Sequence, residues 1–169
     1  MDDLTAAGDD RVERERERAI QLGYRAVNRR ERTVAELRTC LERKRVEPEA
    51  IEDAVAELTE AGFLDDARYA QRFTQDKREL ERWGSERIAR ELDRRGVPPD
   101  LIELAVADRS REAELQTALL VLDQRLPPPQ DDRERDRAWR LLVRRGYAAE
   151  LAYEAVRRHE SGSGARRAA

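Results

Sequence analysis

LDRRGVPPDLIELAV, residues 92–106, sets a basic pair, a glycine and two prolines between a leucine and an Ala-Val pair. The same order recurs as LERKRVEPEAIEDAV at 41–55 and LVRRGYAAELAYEAV at 142–156, at offsets of 51 and 50 residues with no internal gap. Leu41, Leu92 and Leu142 superpose, as do the pairs Arg43-Lys44, Arg94-Arg95 and Arg144-Arg145. A period of this length, with turn residues inside it, marks a tandem repeat of small helical units.

Working outward, each unit reads as three helices. Strand-like alternation is absent, and Ala, Leu, Glu and Arg dominate between short breaks. Thr33 and Glu36 have capping-box spacing, Ser85 follows Gly84 as an N-cap, and Pro48 and Pro99 suit a first helical turn. Gly62, Gly96 and Gly146 each follow an apolar-periodic run and serve as stops. Arg45 stands where the later units have Gly96 and Gly146, so the first unit's turn is expected to be shaped differently. The expected organisation is a disordered acidic tail at 1–11, repeats at 12–62, 63–108 and 109–160, and a flexible tail at 161–169. The expected fold is all-α, an elongated array of three tandem, helix-turn-helix-like units. Paired faces such as Ile88/Leu92 and Leu37/Leu41 need each other, because a short helix alone is marginal.

Composition supports a thin array. Of 169 residues, 42% are charged and only 5% aromatic, too few large apolar groups for one broad core. Residues 33–132 carry 24 acids against 16 bases, whereas 133–169 carry 5 acids against 10 bases. A protein that wraps DNA by phosphate neutralisation would be basic throughout, and here only the last fifth fits. No apolar run approaches a membrane span, no signal peptide is evident, and one cysteine, Cys40, suits a reducing cytoplasm.

Candidate chemistry is sparse. His159 is expected as a solvated residue at a frayed helix end, and Cys40 as an inert thiol beside a core position. Neither phosphate-loop nor dinucleotide glycine patterns occur, and neither cofactor nor metal is expected. Asp65 and Asp66 are the one carboxylate pair worth weighing. They stand between Phe63-Leu64 and the i, i+4 pair Tyr69/Phe73, where they read as the opening of a helix with a core face. The three basic pairs fall at the ends of second helices, where cations suit the negative helix end. Together with Arg78, Arg82, Arg87 and Arg90 they also form a candidate ladder for an anionic partner.

FLDDARYAQRFTQDKRELERWGSERIARELDRRGV, residues 63–97, resembles the signature region of bacterial RecX regulatory proteins. The likeness lies in Phe63, Leu64, Asp65, Asp66, Tyr69 and Phe73, then Gly84, then Ile88, Leu92, Gly96 and Val97. It extends over about residues 17–160. The resemblance implies a non-enzymatic, monomeric regulator that lodges in the groove of the RecA–DNA filament. It would there restrain ATP hydrolysis, strand exchange and co-protease activity, with weak secondary contact to single- or double-stranded DNA. Glu79 and Glu81 interrupt the basic stretch before Gly84 and weaken a simple phosphate-contact reading there. A rival reading is a direct DNA binder using the third helices. EPEAIEDAVAELTEAG and PPDLIELAVAD are acidic, so only the third unit suits it.

Overall fold

The computed structural model describes the backbone of residues 2–167 and the side chains of 10–161. Among the described residues there are nine helices and no strand: α1 (Asp2–Arg29), α2 (Val34–Glu42), α3 (Pro48–Glu60), α4 (Asp66–Glu81), α5 (Ser85–Arg94), α6 (Pro99–Ala107), α7 (Arg111–Arg125), α8 (Asp132–Arg144) and α9 (Ala149–Arg167). The expected starts and stops fall close to these bounds. The side chain of Thr33 accepts from Glu36 N at 3.1 Å and caps α2, and Pro48 and Pro99 each open a helix. Pro127, Pro128 and Pro129 lie in the connection between α7 and α8, where no helical N–H is required.

The ends of the chain depart from expectation. α1 already begins at Asp2, so residues 2–11 are helical rather than an irregular tail, and α9 continues to Arg167 past the tail expected from 161. Neither stretch contains proline. Helical backbone contacts add to this, with Arg14 Nε donating to Asp10 O at 2.9 Å and Ser161 Oγ to Arg157 O at 3.0 Å.

The chain packs as two compact units, one of residues 1–70 and 94–101, the other of 71–93 and 102–169. In the first, α1 lies against α2 and α3. Its core contains Ala19, Ala26, Leu37, Leu41, Ile51 and Leu58, of which the three leucines are wholly buried. Each such leucine contributes about 1.5–3 kcal/mol of transfer free energy. In the second unit α7 packs with α8 and α9 around Leu115, Leu122, Leu142, Tyr147 and Ala155, all at 0% exposure.

Three helix ends share one turn, and a fourth closes one residue wider. Phe63 N donates to Leu58 O, Val46 N to Leu41 O and Tyr147 N to Leu142 O, each five residues back, whereas Trp83 N donates to Lys77 O, six residues back. The residue before each of these donors is left-handed: Gly62 (φ 75°), Arg45 (φ 57°), Arg82 (φ 52°) and Gly146 (φ 88°). The turn at Arg45 therefore has the same shape as its glycine counterpart, contrary to the sequence expectation. The strain of a Cβ there is tolerated because the side chain is exposed.

His159 is likewise corrected. It is only 6% exposed, and its Nδ1 lies 3.0 Å from Asp123 Oδ1. Because α9 runs on beyond it, the ring is not at a helix end but packed beside α7.

Candidate partner-binding surface

Asp65 and Asp66 have structural partners. Asp65 Oδ1 accepts from Arg68 N at 2.8 Å, which caps α4, and Asp66 Oδ1 accepts from Val34 N at 2.9 Å, which fastens the start of α2. Burial pushes the Asp66 carboxyl above its usual range, and the Val34 amide opposes that rise. Leu64 and Tyr69 are buried, at 1% and 7% exposure. Phe63 is not in the core: it is 46% exposed and sets its edge against Tyr24 at 5.2 Å. Phe73, expected on the core face, is half-buried and lies edge-on to Trp83 at 6.5 Å.

Basic residues read as one ladder divide by their contacts. Arg95 and Arg145 turn inward. Arg95 Nη1 donates to Tyr69 OH at 2.9 Å and pairs with Glu36 at 3.2 Å, while Arg145 Nη1 donates to Glu81 O at 2.9 Å. Arg78 is half-buried and donates to Val106 O at 2.6 Å; burial, then the nearby Arg109 charge, lowers its pKa. Arg43, Lys44, Arg90, Arg94 and Arg144 are exposed.

Hydrogen bonds to main-chain carbonyls carry two helix-end junctions. In the first unit, Thr33 Oγ1 donates to Arg95 O at 2.6 Å, joining the start of α2 to the end of α5. In the second, Gly84 N donates to Arg145 O at 2.9 Å and Glu86 N to Gly146 O at 3.0 Å, joining the start of α5 to the end of α8. In this second junction, free amides at a helix start thus meet free carbonyls at a helix end. A Cβ on Gly84 would overlap the Gly146 carbonyl, and one on Gly146 would overlap Arg87. Ser85 N finds Glu114 Oε1 at 2.8 Å.

Beside this second junction lies a cavity of about 560 Å³. It brings together Arg82, Arg87, Arg144 and Arg145, which the sequence singled out, and adds Trp83 and Arg125, which it did not. The Arg87 guanidinium carbon sits 3.9 Å from the Trp83 ring centroid, and Lys77 Nζ sits 4.7 Å from it. Arg82 bonds Gln124. Trp83 could have been suspected from its place directly before the tight Gly84. Arg125 carries no such signal, being one arginine among many until α7 folds back. Arg43, Lys44, Arg90 and Arg94 do not line this cavity.

Among the described residues no group of three or more His, Cys, Asp or Glu side chains is placed to hold a metal ion, and no helix is long and apolar enough to cross a membrane.

Family models match the chain twice: the first three-helix domain of RecX at residues 19–58 and its second at 65–106. Regulatory protein RecX of Deinococcus radiodurans is 35% identical over 146 residues, 86% of this chain and 70% of that protein. The RecX of Trichlorobacter lovleyi is also 35% identical, over 75% of this chain and 86% of its own length. A crystal structure of RecX from Lactobacillus salivarius superposes with a TM-score of 0.79 at 12% identity, covering 86% of this chain and 97% of that one. With its helical repeats, its two matched domains and its identity to these relatives, the chain belongs to the RecX family of regulatory proteins.

Proposed function

We propose that this chain binds the RecA recombinase within the RecA–DNA filament and restrains its ATP hydrolysis, strand exchange and co-protease activity. Residues 109–160 act as a third repeat beside the two matched domains, and the protein works as a cytoplasmic, non-enzymatic monomer. The carrying observation is the 35% identity to a regulatory RecX across 86% of the chain. Direct reading of DNA by the third helices of the first two units is disfavoured, because α3 and α6 contain acids and no base. Several weak contacts along a polymer would give useful affinity without one dominant site.

The test is ATP hydrolysis by the RecA protein of the same organism on single-stranded DNA, with this chain titrated in. Loss of hydrolysis at well below one copy per RecA subunit is expected. Unchanged hydrolysis, with salt-sensitive binding to naked DNA, would overturn the proposal.

A further inference from the structure

The cavity beside Trp83 gathers positive charge. This chain has 37 acids, and several of its arginines find them: Arg38 with Glu52, Arg111 with Glu154 and Arg135 with Glu160, each at 2.7 Å. The five arginines of the cavity, Arg82, Arg87, Arg125, Arg144 and Arg145, do not. Among the described residues no carboxylate lies within ion-pairing distance of any of them, and Glu81 at the rim is taken by Lys77. Converging guanidinium groups repel one another unless an anion sits between them.

Two observations fix the kind of anion. The Trp83 ring already has the Arg87 guanidinium carbon 3.9 Å and Lys77 Nζ 4.7 Å from its centroid, so a stacking nucleobase would compete with these cations for the ring. Part of the cavity's wall is aliphatic, and Glu81 and Gln124 complete it. Leu80, 81% exposed, lines it together with Leu141 and the buried Val121. A phosphodiester backbone has no use for exposed leucine, whereas a polypeptide with carboxylates beside an aliphatic side chain satisfies both the arginines and the leucine.

We infer that this cavity docks an acidic, leucine-bearing segment of a protein partner, its carboxylates held by Arg125 and Arg144 and its aliphatic side chain set against Leu80. The inference rests on the proposed regulation of RecA only for the partner's identity; the site and its ligand chemistry stand on the geometry.

Trp83 supplies the readout. In a Trp139→Phe chain it is the sole tryptophan, and its emission is followed while an acetylated peptide of glutamates with two leucines four residues apart is added. A saturable change, weakened by salt and reduced roughly tenfold by Arg125→Glu or Arg144→Glu, is expected. Both side chains are exposed, so thermal melts should match the parent. A thymidine oligonucleotide and inorganic phosphate are run alongside. If the oligonucleotide moves the emission and the peptide does not, the inference is overturned. The same variants are then assayed on RecA. A site that takes the peptide while the parent chain leaves RecA untouched sinks the proposed function and supports the site. Full restraint of RecA by both variants, with no peptide response, sinks the site and leaves the function standing.

Discussion

The turns after α2 and α8 share a backbone and differ in the residue that makes them. Arg45 and Gly146 are both left-handed, and Val46 N and Tyr147 N close back on Leu41 O and Leu142 O at 3.3 and 3.2 Å. What separates them is the neighbourhood. Arg45 borders an open cavity with Arg11, Arg18 and Glu47, where a side chain has room. Gly146 is buried beneath the start of α5, with Arg87 where its Cβ would be. Glycine at this position is demanded by docking; the turn alone merely favours it.

Four substitutions probe that difference, and the largest effect belongs to Gly146. Gly146→Ala should cost about 3 kcal/mol or more in urea unfolding, because a backbone neighbour has to shift. An undisturbed midpoint would mean that docking does not set the requirement. Gly96→Ala should cost less, about 2 kcal/mol, since the atom it meets is the methyl of Ala35. Adding Ala35→Gly should recover part of that loss, and strict additivity in the double-mutant cycle would contradict the contact.

Third is Tyr147→Phe, which removes the bond from Tyr147 OH to Arg82 O at 2.9 Å and should cost about 1 kcal/mol. Burial pushes this hydroxyl up to about 12 from an ordinary 10.0, with Glu114 adding to the rise. The unfolded chain loses the proton first. The associated stability is therefore complete below pH 10.0 and declines toward pH 12, and the phenylalanine variant should lack this decline in pH-dependent melts. The smallest effect is Arg45→Gly, with the opposite sign: a gain of about half a kcal/mol, as relief of left-handed strain is partly offset by chain entropy. A loss in melting temperature would show that Arg45 is held by its surroundings.

The fold was largely legible because its signals are local. Thr33, Pro48, Pro99 and the three glycines act within a turn of themselves, and the 50-residue period is a matter of counting. Readings that depended on distant contacts fared unevenly. The residue type of Arg45 says nothing about free space, and the sequence after His159 has no apolar pattern to mark the continuation of α9. Phe73 keeps helical spacing with Tyr69, yet it is only half-buried and meets the Trp83 ring edge-on. The basic ladder treated adjacent arginines as equivalent. Arg145 reaches back to Glu81 O while Arg144 stays in solvent, and one residue along a helix, a rotation of about 100°, suffices for that. Arg125 was invisible for a different reason, since only the return of α7 brings it to Arg144.

The bond from Gly84 N to Arg145 O, and its neighbour from Glu86 N to Gly146 O, have a consequence for how far such a sequence can drift. Amides and carbonyls are present whatever the side chain, so nearly any residue could replace Arg145 or Glu86 and leave both bonds in place. Mutation is constrained there only by the need for something small at Gly84 and Gly146 and for no proline among the donors. A joint of that kind can persist while most of the surrounding letters change, and shared architecture at 12% identity is what it permits.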